Sequence, residues 1–502
     1  PSLLNVLQMA MLGLLLVVLA IPLLTINLEP DAVSTIDNRA LQPFPTLEAS
    51  ESLNDQITRF FADRIGLRAQ MVQAYAVLND RLFHVMTHPL YEYGKDGYVF
   101  FYYEEYHPDL EYLRIFADYL AETQRYCEER GSYFLYVITP EKPRVYPEYL
   151  PDTIEPQLNI IDYLTPLLDE RNINYLDLAQ PLIENKNDYK VFHKVHNAGH
   201  WSDTGAFIGI QTIIERIKTV FPQVSVPEFS DYTAIEEIYT ELPVSNYPIY
   251  ETGVTYEVAN PSKSAQRTND LDDEVARSNS YPSFRTYRNS NIPDAPSLLF
   301  FTGSYFNPQD HLSNNSFAQS TYIHNYYNAP NIAYYYNIFK PDIIVLDSAD
   351  YVIRDLYFPR DMLTNISVPP LYETYAALPT TTLSASEAFT QTEPIERDAF
   401  GVRAETNNSI SAVEPDASGM MRLLYEQNTI VSNYTFVWNG PELSCAYLLV
   451  DDSEYDVLLN GPLMQVGLRT EDLRTAHDLT VMGIDATGTR QYQVVIPVEA
   501  KN

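Results

Sequence analysis

The sequence predicts an α/β chain: a parallel sheet with flanking helices, preceded by an apolar helix and followed by an all-β domain. Three observations predict it. From about residue 109 to 347, short apolar runs alternate with amphipathic helical stretches, the pattern of a parallel sheet covered on both faces. Residues 9–26 read MAMLGLLLVVLAIPLLTI, without a charge; with Leu3 to Gln8 before it, this stretch is long enough to span a bilayer. Beyond about residue 385 short strands and turns follow one another with no convincing helix, which suggests a small β-sandwich.

Bulk properties narrow the classes. At 502 residues the chain exceeds one ordinary core, so two or three domains are expected. A hydrophobic content of 45% argues against wholesale disorder. The formal net charge of -35 repels nucleic-acid phosphates and speaks against a general nucleic-acid binder. The same charge repels a polyanionic glycan at long range, so such a substrate needs a locally neutral or basic groove. Cys127 and Cys445 lie far apart in no metal-like spacing and read as two separate buried thiols. Tyrosine, with 40 residues against two tryptophans, offers a flat apolar face and a hydroxyl suited to sugars, though most serve packing or the surface.

Taken in order, residues 1–28 form a transmembrane anchor, in which Pro22 is tolerated and no clear small-x-small cleavage site is seen. After a polar stretch, Met71, Tyr75, Leu78 and Leu82 recur at helix spacing, with Gly66 as a break. A helix rich in Leu113, Phe116 and Leu120 precedes the strand YFLYVI (133–138); one around Ile160, Leu164 and Leu168 precedes INYLDL (173–178); a third spans 204–221. Residues 222–295 are polar and read as an irregular insertion. LLFF (298–301) and IIVLD (343–347) resume the sheet. TTTLSASEA reads as a linker or a domain edge, and it divides an α/β domain, 29–385, from a β-sandwich domain, 386–502. The latter has a possible glycan-binding role.

Two segments could carry chemistry. HNAGHWSDTGAF (196–207) lies before a helix; FFTGSYF (300–306) runs from a strand into Gly303-Ser304, at the edge where open α/β sheets place their sites. A serine there needs a base for its proton, and His200 is the natural candidate. His196 and His200 have a four-residue spacing that a helix could use for a metal, but Gly199 lies between them and no third ligand is evident, so neither a metal nor another cofactor is expected.

Several landmarks in one order resemble the alginate O-acetyltransferase family of SGNH-like proteins, also known for a D-x-H-W signature. They are DNRALQPFP (37–45), FADRIGLR (61–68), YGKDGYVF (93–100), ITPEKPRVYPEYLP (138–151), HWSDTGA (200–206), TGSYF and FKPDIIVLDSADYV (339–352). The resemblance implies a circularly permuted SGNH-hydrolase-like sheet, with histidine before serine. It implies transfer of acetyl to hydroxyls of an extracytoplasmic polysaccharide by a single-pass membrane protein, with a membrane-bound O-acyltransferase as the acetyl-supplying partner. Ser304 would take the acyl group and His200 would act as base and then acid. The family's triad aspartate stands two residues before the histidine; here that position is Ala198. Asn197 or Asp203 would then orient His200. The alternatives are a carbohydrate acetyl esterase with the same pair, or a non-catalytic glycan-binding or scaffold subunit.

Overall fold

A computed structural model describes the chain except residues 1–2, 31, 35–38, 48–50, 88–90, 102–107, 152–158, 243–247, 279, 390–409, 412, 416–420, 452 and 501–502. Part of the DNRALQPFP landmark therefore lies outside the described residues. An apolar helix, α1 (Leu3–Leu24), opens the chain. It is long and apolar enough to cross a membrane.

Its end rests on the corner between α2 (Leu53–Arg64) and α3 (Arg68–Phe83). The Gly66 N–H donates to the Pro22 carbonyl at 2.8 Å, and a Cβ on Gly66 would run into Thr25, so only glycine permits this approach. Arg64 is 1% exposed. It donates to the carbonyls of Asn27, Glu29, Pro30 and Gln42, which fixes the segment leaving α1.

The central body is mixed α/β. After the hairpin β1 (Tyr91–Tyr93) and β2 (Val99–Phe101) come α4 (Leu110–Glu129), β3 (Tyr133–Thr139), α5 (Ile160–Glu170), β4 (Tyr175–Asp177) and α6 (Asp203–Lys218). The helices arise where apolar residues return every three or four positions: Leu113, Phe116 and Leu120 all turn into the core at 0% exposure. Asp109 caps α4, and Asn159 with Asp162 forms a capping box on α5. Every residue of β3 after Tyr133 is buried, as expected of a strand covered on both faces.

The stretch 222–295 is not irregular. It contains a long antiparallel hairpin, β5 (Tyr232–Glu241) with β6 (Pro248–Val258), and two further strands, β7 (Gln266–Thr268) and β8 (Phe284–Arg288). Polar composition misleads here because the hairpin has no fully buried face: seven of the ten β5 residues are exposed, Ile235 and Tyr239 are half-buried and only Tyr232 is buried, giving no clear period of two.

The chain continues through β9 (Ser297–Thr302), β10 (Gln319–His324), α7 (Ile332–Phe339) and β11 (Ile343–Ala349). The sheet runs β4-β3-β11-β9-β10-β8-β7. Its first five strands are parallel, and β8 and β7 add antiparallel at one edge.

Beyond it, ten strands pair in one continuous sheet; most of its buried side chains form one cluster, and Cys445, Tyr447, Met482 and Ile484 form a second. The strands pair in one continuous order rather than in two separately paired sheets. Of the two readings of the TTTLSASEA stretch, a domain edge fits and a linker does not: Thr380–Thr382 pairs with Gln491–Gln493, and Ala388 and Phe389 enter the larger cluster. A short helix, Thr470–Thr475, also interrupts the strands.

The two bodies are tied by buried polar contacts. Arg130 and Tyr126 both bind Asp456, Tyr334 donates to Asn433, and the Glu274 carboxylate accepts the N–H groups of Ile430 and Val431. Cys127 and Cys445 are free and buried.

Candidate active site

The C-terminal ends of the parallel strands gather the site, as the topology of open α/β sheets dictates. β9 ends at Thr302, Gly303 follows, and Ser304 opens a single 3-10 turn with its side chain exposed. His200 comes from the loop before α6. Its Nε2 lies 2.8 Å from the Ser304 Oγ, within direct proton-transfer reach. The Tyr351 hydroxyl, just past β11, lies 3.5 Å from the same Oγ.

The two segments are laced together. Trp201 Nε1 donates to the Tyr305 carbonyl at 2.9 Å, the Tyr305 hydroxyl donates to the Gly199 carbonyl at 2.6 Å, and the His200 and Tyr305 rings lie 4.5 Å apart.

Below the serine, Asp347 on β11 is fully buried. Its carboxylate accepts from Thr139 Oγ1 at 2.5 Å and from the Gly303 N–H at 3.2 Å. Burial pushes this carboxyl up to about 7, against the pull of those two donors. Its backbone carbonyl accepts from Asn325 Nδ2 at 2.6 Å. A Cβ on Gly303 would stand 3.1 Å from Asp347 Oδ2 and 3.4 Å from Asn325 Nδ2, so the absence of a side chain lets both approach the serine turn. Arg144 joins the neighbouring strand ends, donating to Asp350 at 3.0 Å and Asp177 at 2.5 Å.

The histidine loop is clamped from two sides. Lys142, 0% exposed, points its ammonium at the carbonyls of Val99, Lys194 and Asn197 at 2.6, 3.1 and 3.4 Å. Burial brings it down to about 7. Glu251, on the hairpin strand β6, accepts the N–H groups of Lys194, Val195 and His196 at 2.8, 2.8 and 2.7 Å. Burial alone would raise the Glu251 carboxyl, but these three N–H groups and His193 bring it below its ordinary value.

The sequence-predicted partners of His200 sit elsewhere. The Asn197 side-chain oxygen accepts the N–H groups of Gly199 and His200, at 3.1 and 3.0 Å; it shapes the backbone, and no contact with the ring is seen among the described residues. Asp203 accepts from Gln309 Nε2 at 3.0 Å. His196 stacks on Tyr239, with ring centroids 3.8 Å apart. Ala198, at the position of the family's aspartate, is buried in a small apolar cluster with Ala76, Tyr91, Val99 and Leu242. His200 is lowered by burial alone.

Sequence reasoning passed over Lys142, Glu251, Asn325, Asp347 and Tyr351. Lys142 and the end of IIVLD were visible inside quoted motifs; Glu251 and Asn325 carry no local signal.

Residues 92–239 match the model of the SGNH hydrolase-like domain of the acetyltransferase AlgX. Over that stretch the chain is similar to an AlgX-type SGNH hydrolase-like domain. The AlgX-type match includes His200 and stops short of Ser304. No curated protein matches the chain in sequence.

Solved structures overlap it at low TM-scores. PatB1 of Bacillus cereus with a sulfonyl adduct is 14% identical, with 52% of this chain and 96% of that one covered and a TM-score of 0.41. The O-acetyltransferase domain of Pseudomonas putida AlgJ is 16% identical, covering 53% and 92%, at 0.37. Pseudomonas aeruginosa AlgX is 11% identical, covering 79% and 93%, at 0.35.

Proposed function

We propose that this chain is an O-acetyltransferase that moves acetyl onto a polysaccharide hydroxyl outside the cytoplasm, through an acyl-enzyme on Ser304. The observation that carries the reading is the 2.8 Å contact between His200 Nε2 and an exposed Ser304 Oγ at the C-terminal edge of the sheet. His200 takes the hydroxyl proton as Ser304 Oγ attacks the acetyl carbonyl, then gives it to the leaving group. It next takes the proton of the acceptor hydroxyl, whose oxygen attacks the acyl-serine, and passes that proton to the departing Ser304 Oγ, which regenerates the pair. The Ser304 N–H, at the start of its turn, and the second amide hydrogen of Asn325, whose Nδ2 borders Gly303, are the candidate donors to the developing oxyanion.

In this reading α1 tethers the protein, residues 29–385 carry the chemistry and 386–502 assist glycan binding. A membrane-bound O-acyltransferase supplies acetyl. Asn197 acts through the loop backbone. Asp203, at the first turn of α6, contributes no contact to the ring.

Incubation with an activated acetyl ester followed by mass spectrometry tests the site. Wild type is expected to carry one acetyl on Ser304, Ser304→Ala none, His200→Ala nearly none and Asn197→Ala a reduced amount. Wild-type labelling in Ser304→Ala would place the nucleophile elsewhere. Product analysis with and without a glycan acceptor separates transfer from hydrolysis by an esterase. The second reading is a non-catalytic glycan-binding subunit, favoured by the lack, among the described residues, of a carboxylate touching the His200 ring. An unlabelled wild type would select it.

A further inference from the structure

The exposed face of α3 is the least expected surface of the molecule. Tyr75, Leu78, Leu82 and Phe83 are 61, 56, 62 and 67% exposed, and Met71 continues the row. Positions 71, 75, 78 and 82 form one stripe along a helix. Such a contiguous apolar row marks an interaction site, whereas isolated exposed apolar residues do not.

What lies beside it says what covers it. The N-terminal end of α3 adjoins the corner that receives the end of α1, through Gly66 N–H to Pro22 O and through Asn27 N–H to Arg64 O, both at 2.8 Å. The apolar stripe therefore starts where the apolar helix ends. Charge points the same way. In a chain of net charge -35, α3 holds two arginines and one aspartate. That aspartate, Asp80, accepts the Tyr93 hydroxyl at 2.9 Å on the protein side. Among the described residues of α3 the exposed charge is Arg81, a cation, while Arg68 and Asp80 are half-buried.

We infer that the α3 face lies in the bilayer interface, with its apolar stripe about 5–10 Å into the headgroup–acyl boundary, and that it holds the active site at the membrane surface. This rests on α1 being a membrane anchor. The link to the site is direct: Ala76, on the inner side of α3, packs in one cluster with Val99 and with Ala198, two residues before His200. The helix that meets lipid is thus the helix beneath the histidine loop.

The test uses the full chain in phosphatidylcholine–phosphatidylglycerol vesicles. Leu78→Cys carries an environment-sensitive fluorophore, and Thr487→Cys, on an exposed turn of the C-terminal sheet, is the control. Cys127 and Cys445 are buried and do not compete for the label. With quencher lipids spin-labelled near the glycerol backbone, the Leu78 label is expected to lose most of its emission while the Thr487 label keeps it. Vesicle-bound protein whose Leu78 label is no more quenched than the control would overturn the proposal. That result would mean that the stripe awaits a protein partner or stays in water. Protein that fails to sediment with the vesicles would instead remove the anchor reading, and the proposal with it.

Discussion

Lys142 gives the sharpest test of how the histidine loop is held, because its effects on stability and on chemistry should separate. Lys142→Met removes an ammonium that reaches three carbonyls, two of them at 2.6 and 3.1 Å. Two hydrogen bonds from a charged donor contribute roughly 3–6 kcal/mol together. Burial, however, brings this lysine from 10.5 down to about 7, a drop that corresponds to a cost of about 5 kcal/mol for keeping it charged. Methionine avoids that cost. The two terms nearly offset, so we expect urea unfolding at pH 7 to shift by less than about 2 kcal/mol.

Chemistry has no such compensation. The loop carrying His200 loses its carbonyl clamp, and a displacement of about 1 Å at a catalytic group costs on the order of 100-fold. Ser304 acetylation by an activated ester should therefore slow by roughly 10- to 100-fold.

The pH dependence adds a signature. A lysine whose folded pKa is depressed weakens the fold fully below about 7, and that penalty lifts as pH rises toward its unfolded value. Wild type should gain stability between pH 7 and 9 relative to Lys142→Met. An acetylation rate within about twofold of wild type in a folded variant, or no difference in pH dependence, would refute the clamp.

Three further expectations follow from particular contacts. Burial lowers His200, so the acid limb of Ser304 acetylation should have its midpoint below 6.5, the ordinary histidine value; a midpoint above it would reveal a carboxylate on the ring. Asp456→Ala strands the buried Arg130 guanidinium, whose side chain is 5% exposed, and should cost about 3–5 kcal/mol; calorimetry showing less than about 1 kcal/mol would mean the ion pair does not join the two bodies. A fragment covering 370–502 should be better folded by circular dichroism than 386–502, because only the longer one keeps Thr380–Thr382 paired with Gln491–Gln493 and Tyr372 and Tyr375 over the patch of Cys445, Tyr447, Met482 and Ile484. Equal folding of the two would assign those residues no part in the C-terminal core.

The parts of this fold that were legible in the sequence are those whose burial is one-sided or complete. α4 and β3 announce themselves because Leu113, Phe116 and Leu120 repeat at helical spacing and 134–139 are buried throughout. The hairpin β5–β6 was not legible, since solvent reaches most of its residues and nothing forces a period of two. β10, QSTYIH, was missed because Ser320 and Thr321 are buried polar residues in a central strand.

At the site, segments with Gly303-Ser304 and His200-Trp201 were visible as motifs. Of the groups around them, Lys142 and Asp347 lie inside recognisable motifs that do not reveal what they contact, and Glu251 and Asn325 carry no local signal. Glu251 stands 57 residues from Lys194, whose N–H it accepts, and Asp347 stands 44 residues from Gly303; no local pattern encodes such pairings. Asn197 had a reasonable spacing, but a side chain that short finds the backbone of its own turn first.

The Glu251 contact changes what the hairpin is. Its carboxylate sets the path of residues 194–196, and those residues lead within a few positions to His200. A chimaera that exchanges residues 232–258 for another hairpin would thus exchange catalytic alignment along with surface shape, although no residue of the hairpin touches Ser304 among the described contacts. Directed variation of β5 and β6 offers a handle on reactivity from outside the sheet. Any library built there should keep an acceptor at position 251, or treat its loss as a substitution in the active site.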